Sequence, residues 1–355
     1  VSMHITKDQA ICMFYYVEYT HENVTKYRNM LESQNYEICF NTNECEPILV
    51  MKQRMLGNPV TYRKYLDVVK EKEETGVKRK KSELVTESQV IQFVNSVYTV
   101  NDFSNPEIYQ EKLTSTNDIF ETVNENSTVL NNKTLLAFTR WCSGNRLKFL
   151  NAVEDKNYGA RKRNLFVMDK IYHDCLITSI TEYLPNYQQS LKALQNNAFE
   201  IVGYVRKSPT ADILDNRVEL LQQMVDNLRS RSFATRIFVS SSSRASTAFA
   251  ERDLNVDQNI YQQLDKVDGT TQDFIKYLNA SRHSICLAVL DFAGLSSRSH
   301  HVQELLKDYP VIKKVAVDTF MFSNELFIYD TRDLKANTNL LEKFDCRYKL
   351  MQRSK

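Results

Sequence analysis

Glycine and proline are both scarce, with 7 and 6 in 355 residues, which excludes collagen-like, linker-rich and loop-dominated architectures. No stretch approaches the roughly 18 uninterrupted apolar residues of a membrane-spanning helix, so no membrane partner is expected. Cysteine is present but unpatterned: the seven residues Cys12, Cys39, Cys45, Cys142, Cys175, Cys286 and Cys346 form no CxxC pair. An odd count and wide scatter point to reduced thiols in a nuclear or cytoplasmic compartment. Excess charge is lacking too. Lysine and arginine number 46 against 44 aspartates and glutamates, a net charge of +2, so any affinity for nucleic acid has to come from local patches. Neither GxGxxG nor GxxxxGK[ST] occurs, which leaves the commonest nucleotide-binding routes unsupported. No metal or other cofactor is implied. His300 and His301 are adjacent, so a helix would turn them to different sides, and no cysteine or carboxylate stands at convincing ligand spacing.

What is there divides by composition, and the length predicts two or three domains. Residues 1–75 read as a small helical module, with Ile5-Thr6-Lys7-Asp8-Gln9 as a capped start and further helices over Asn23–Glu32 and Val60–Lys72. A charged linker, 76–83, follows. Its Lys78, Arg79, Lys80 and Lys81 have the composition of a nuclear localisation signal or a phosphate-binding strip. Residues 84–198 read as a second, mainly helical region. Val90–Val97 and Lys133–Phe138 carry helical periodicity there, and Leu165–Tyr183 is the longest amphipathic run. Two cation clusters lie in this region: Arg140, Arg146 and Lys148, then Arg161, Lys162 and Arg163, close in sequence to Trp141, Phe149 and Tyr158. Such a mixture grips a phosphate backbone and stacks on bases; the plainer alternative is a core tryptophan with cations along its solvated rim.

From Phe199 the pattern changes. Short β-branched runs at Phe199–Val205, Thr235–Val239, Ser284–Leu290, Ile312–Val317 and Leu326–Tyr329 alternate with helical patterns at Asn216–Ser230, Asn259–Leu278 and His300–Lys307. Strands separated by crossover helices predict an α/β domain over 199–355 with a largely parallel sheet. Such sheets place their ligands at the carboxyl ends of the strands. Here those ends carry Arg206 to Pro209, Ser240 to Arg244, and Asp291. Arg206 and Ser208 stand two apart in an extended segment and therefore point the same way. A guanidinium can hold a phosphate oxygen while the hydroxyl sits beside the phosphorus. A serine hydroxyl is a weak nucleophile, so further cations and a carboxylate should converge on it.

Gly203-Tyr204-Val205-Arg206-Lys207-Ser208 resembles the Tyr-x-Arg-x-Ser signature that opens the catalytic domains of serine recombinases, the resolvases and invertases. The order that follows is similar as well: a helix, a second strand, a serine-rich loop ending in Arg252, another helix, and a strand ending in Leu290-Asp291. The resemblance covers about residues 199–335. It implies a resolvase-like fold and cleavage of DNA through a transient phosphoserine, without a metal. Ser208 would be the nucleophile, Arg206 a phosphate clamp, Arg252 the arginine after the flexible loop and Asp291 the acidic strand-end residue. The pattern then departs. Phe292 stands where the family has an arginine after the aspartate, and Pro209 replaces the usual threonine. Arg298 supplies one guanidinium if Phe292–Gly294 is an insertion, because Leu295-Ser-Ser-Arg298-Ser299 resembles the family's Leu-Ser-Arg-Ser. DNA is thus the expected partner, with self-association through the α/β domain. The expected protein is either an active recombinase or a degenerate scaffold of mobile-element origin. A flavodoxin-like domain binding a phosphorylated ligand at the same strand ends is the broader alternative.

Overall fold

The computed structural model describes residues 4–41, 43–68, 82–100, 105–158, 160–209, 214–320 and 325–346. Lys78, Arg79, Lys80 and Lys81 lie outside them. The chain divides into two compact units, Val1–Tyr183 and Leu184–Lys355.

In the first unit the chain runs α1 (Lys7–Phe14), α2 (His21–Ser33), β1 (Tyr36–Phe40), β2 (Ile48–Met51), α3 (Lys52–Gly57) and β3 (Arg63–Lys64). It continues with α4 (Glu87–Val97), β4 (Tyr98–Thr99), β5 (Tyr109–Ser115), α5 (Thr116–Asn126), α6 (Leu135–Gly144), β6 (Glu154–Tyr158) and β7 (Ala160–Met168). The helix α7 (His173–Asn196) crosses the division between the units. The capped start is a full capping box: Gln9 N donates to Thr6 Oγ at 3.2 Å and Thr6 N to Gln9 Oε1 at 3.0 Å.

The expectation of mainly helical N-terminal regions needs correction. Two antiparallel sheets are present among the described residues, one in the order β2-β1-β3 and one in the order β4-β7-β5 with β6 paired to β7. The described part of Val60–Lys72 is no helix, for Arg63 and Lys64 pair with β1. Leu165 to Met168 belong to β7, so the amphipathic run Leu165–Tyr183 begins as strand and becomes α-helix from His173. The second sheet is covered by a core of Phe93, Val97, Ile108, Ile119, Phe138 and Leu165, all buried.

The second unit is α/β with a mostly parallel sheet, as the strand–helix alternation requires. Its elements are β8 (Phe199–Arg206), α8 (Leu214–Ser232), β9 (Arg236–Ser240), α9 (Gln258–Gln263), α10 (Thr271–Ala280), β10 (Ser284–Leu290) and α11 (Phe292–Leu295). They are followed by α12 (Ser299–Asp308), β11 (Ile312–Asp318), β12 (Leu326–Asp330), α13 (Thr331–Ala336) and α14 (Thr338–Glu342). The strand order is β12-β11-β10-β8-β9, parallel throughout except that β12 runs antiparallel to β11. The predicted helix over Asn259–Leu278 is two helices. Between them Asp268 and Gly269 pair with β9: Asp268 N donates to Ile237 O at 2.7 Å and Val239 N to Gly269 O at 2.9 Å. That segment covers the outer edge of β9, which would otherwise offer unpaired backbone groups.

Alternation along the strands divides the apolar residues between two faces. Leu287, Val289 and Val315 pack with Phe238 and Phe274 on one side. On the other, α8 lies across β8 and β10 with Leu221, Val225 and Leu228 fully buried. Gly203 allows that close approach. A Cβ built there would stand 2.7 Å from Leu228 Cδ2 and 3.1 Å from Ile237 Cγ1. Gly203→Ala is therefore expected to destabilise the α/β unit by about 1–3 kcal/mol through overpacking, read as a lower urea midpoint with an unchanged m-value.

Candidate functional site

In an open doubly wound sheet the ligand crevice opens where neighbouring strands send their connections to opposite sides, at the carboxyl edge. Here that switch point lies between β8 and β10, and the chain reaches it as Arg206-Lys207-Ser208 and as Asp291. The β9 loop joins them by backbone pairing: Lys207 N donates to Ser240 O at 3.0 Å, and Ser243 N to Lys207 O at 3.1 Å. The serine-rich loop is thus tied to the segment that bears Ser208.

Arg206 is buried and its guanidinium is aimed by three segments. Nε and Nη2 donate to Ala293 O at 3.1 and 2.7 Å, and Nη1 donates to Ser243 O at 2.5 Å. The same Nη1 reaches Ser208 Oγ at 3.1 Å. The pairing expected from their spacing in the strand is therefore made, and Ser208 itself is half-buried. A second buried guanidinium, Arg217 of α8, donates to Ser241 O at 2.6 Å and to Ser208 O at 3.4 Å. Sequence reasoning missed Arg217, although a signal existed. It continues the buried stripe Leu221, Val225 and Leu228 toward the helix start, so an arginine there had to face inward.

Arg252 takes a different part. Its relative exposure is 0%, and its donors go to the protein: Nε to Thr247 O at 3.0 Å, Nη1 to Leu295 O at 2.9 Å and to Tyr204 Oη at 3.0 Å, Nη2 to Ala245 O at 3.4 Å. The Phe249 ring lies 4.0 Å below the guanidinium. Among the described residues no carboxylate stands within ion-pair distance of it. Arg252 thus stitches the serine loop to α11, and it does not converge on Ser208.

Asp291 is held at φ 70°, a left-handed conformation that strains a residue with a Cβ. Its carboxylate accepts from Phe292 N at 2.7 Å, and its own N–H donates to Asp318 O at 3.0 Å. Arg298 caps α12 by its backbone and its side chain is exposed. Phe292 packs among Phe344, Phe327 and Tyr329 at 5.0, 5.5 and 6.5 Å between ring centroids.

Several arginines belong to this end of the unit: Arg206, Arg217 and Arg252 are buried, while Arg244 and Arg298 are exposed. His301 of α12 senses two of them: burial first, then His300, and further Arg252 and Arg298, hold its imidazole below the ordinary value, with Glu304 opposing. Tyr261 pins the serine loop by donating to Val239 O at 2.8 Å and accepting from Ser241 N at 3.3 Å. Burial, the largest cause, pushes that phenol up to about 12, so it stays neutral.

The cations proposed from sequence in the other unit are dispersed among several roles. Arg140, Arg146 and Lys148 are exposed. Arg163 is buried in an ion pair with Glu154, and Arg161, exposed, lies 4.0 Å from the same carboxylate. Lys162 is half-buried in β7, opposite Asp155 and Ser115. Trp141 donates to Glu87 Oε2 at 3.0 Å and stacks on Phe138 at 5.7 Å, and Phe149 is buried. Phe149 is thus enclosed, whereas Trp141 is half-buried. Among the described residues no group of three or more His, Cys, Asp or Glu could hold a metal ion, and no helix is long and apolar enough to cross a membrane.

Comparisons of the chain with protein-family models, with curated proteins and with solved structures find no match.

The different roles of the arginines can be measured as stability. Arg252→Lys keeps a cation but not the planar fork, leaving buried carbonyls unsatisfied; a loss of about 1–3 kcal/mol is expected. Arg298→Ala, at an exposed position, is expected to stay within about 0.5 kcal/mol of wild type. Thermal unfolding of the two variants checks the contrast.

Proposed function

We propose that the protein is DNA-associated, and that its α/β unit is a serine-recombinase relative that holds a phosphodiester at the carboxyl edge with little phosphoryl-transfer activity. The observation that carries this reading is the 3.1 Å contact of Arg206 with Ser208 Oγ at the switch point of the sheet. A guanidinium and a hydroxyl side by side suit a phosphate group, the first by charge-assisted hydrogen bonds and the second as a further donor. The exposed Arg244 and Arg298 add cations at this end of the unit, and Arg140, Arg146 and Lys148 offer phosphate contacts in the other unit.

Reduced chemistry follows from where the other cations are. Phosphoryl transfer needs charge stabilisation at the reacting oxygens, and losing one such cation costs orders of magnitude in rate. Arg252 is enclosed by carbonyls, and Phe292 fills the position where the recombinase pattern has an arginine. The second reading, an active recombinase, is favoured by the incomplete burial of Ser208.

Fluorescence anisotropy with duplex DNA tests the binding. Affinity is expected to fall steeply with salt, and the Arg244→Glu/Arg298→Glu variant to bind about tenfold more weakly at fixed salt; Ser208→Ala, which removes the further donor, should weaken binding by a smaller factor. Salt-independent or absent binding would sink the DNA reading. Incubation with nicked duplex distinguishes the two chemistries. No covalent protein–DNA adduct is expected, and an adduct lost in Ser208→Ala would establish the active recombinase instead.

A further inference from the structure

Arg252 poses a problem of charge. Its guanidinium is wholly buried and no carboxylate of the described residues pairs with it, yet a buried cation is costly unless it is compensated. Carbonyl dipoles of Ala245, Thr247 and Leu295 supply part of the compensation. The remaining contact leads elsewhere. Arg252 Nη1 donates to Tyr204 Oη at 3.0 Å, Tyr204 Oη lies 2.9 Å from Thr271 Oγ, and Thr271 Oγ meets Asp253 Oδ2.

The direction of every proton in this chain is forced by its ends. A guanidinium only donates, so Tyr204 Oη must accept from it. An ionised carboxylate only accepts, so the single Thr271 hydroxyl proton goes to Asp253. The Tyr204–Thr271 contact then has one available proton, that of Tyr204. All the O–H and N–H bonds run from cation to anion, the arrangement in which neighbouring hydrogen bonds polarise one another.

At its far end the chain meets the serine loop. Asp253 Oδ1 accepts from Ser240 Oγ at 3.1 Å and Ser243 Oγ at 3.4 Å, while Oδ2 also accepts Thr271 N at 3.1 Å. Asp253 stands at φ 55°, a strained conformation for an aspartate that the surrounding contacts must hold in place. Ser243, so oriented, presents the carbonyl that receives Arg206 Nη1, the nitrogen that also reaches Ser208.

We propose that Tyr204 and Thr271 carry a relayed ion pair between Arg252 and Asp253, and that this relay positions the serine loop against Arg206 and Ser208. Arg252, Tyr204, Thr271 and Asp253 are thus positioning residues, and Arg252 serves the strand-end site through the loop without touching a ligand. The consequence for ligand binding rests on the phosphate-holding reading above, whereas the relay itself does not.

Two readouts separate them. Thr271 is not among the partners of Arg252, so a purely local role for its hydroxyl leaves the Arg252 side-chain resonances unmoved. In nitrogen-15 NMR of the full chain, Thr271→Val is expected to shift the Arg252 guanidinium signals and speed their hydrogen exchange. Thr271→Ser, which restores the hydroxyl, should return them to the wild-type pattern. Unmoved Arg252 signals in Thr271→Val, alongside moved signals in Tyr204→Phe, would overturn the relay. In duplex-DNA anisotropy, Tyr204→Phe and Thr271→Val should each weaken binding about tenfold, and the double variant no more than either alone, because one unit is broken once. Additive losses, or none, would overturn the coupling to the loop. If Arg244→Glu/Arg298→Glu leaves DNA binding untouched, the phosphate reading fails, and the NMR result still decides the relay.

Discussion

The need of buried guanidiniums for hydrogen-bond acceptors is the constraint around which the carboxyl edge of the α/β unit is built. Removing a cation from water is costly unless its donors find partners. Arg206 meets this demand with the carbonyls of Ser243 and Ala293, Arg217 with those of Ser208 and Ser241, and Arg252 with those of Ala245, Thr247 and Leu295. Each acceptor sits on a connection following β8, β9 or β10, so three arginines fasten three loops that have little regular structure of their own. The same arrangement sets a limit on chemistry. Every N–H given to a carbonyl is withheld from any ligand, and Arg252 has gone furthest in that direction.

The parallel sheet and its strand ends were legible because most of its strands are short β-branched runs followed by a helical pattern, and such runs leave few alternatives. The Arg206–Ser208 pair was legible for a still simpler reason: residues two apart in an extended segment share a side. Arg252 was not. In sequence it stands beside Asp253 after a serine-rich loop, with the look of a mobile cation reaching for a ligand. Its burial depends on Phe249 stacking beneath it and on Leu295 arriving from a segment more than forty residues away in the chain, 43 by the separation of the bonded pair. No local pattern announces a contact of that range.

The first unit was harder to read, and for physical reasons visible in its strands. β7 begins Ala160-Arg161-Lys162-Arg163, a run whose charge suggests a solvated surface. Pleating nevertheless turns Arg163 to the same face as buried Leu165, where the β6 residue Glu154 neutralises it. A cross-strand partner thereby converts an apparent nucleic-acid patch into sheet structure. β4 and β3 are two residues each, too short to produce any periodicity. Arg140, Arg146 and Lys148 avoid this fate because they lie on α6 and the segment after it, with no carboxylate strand opposite among the described residues.

Phe292, which follows the strained Asp291, is placed by packing. Phe292 is in contact with aromatic rings from β12 and with Phe344, and Lys343 sits 4.6 Å over the Phe327 ring. A guanidinium at 292 would have to be solvated or paired within that cluster, and burying it there unpaired costs more than the aromatic contacts it would replace. The four residues of α11 that begin with Phe292 also supply the Ala293 and Leu295 carbonyls that hold Arg206 and Arg252. Packing at Phe292 therefore fixes the acceptors that orient the Ser208 partner. The segment thus holds Arg206 in place through a carbonyl whose position is set by aromatic packing on the other side of α11.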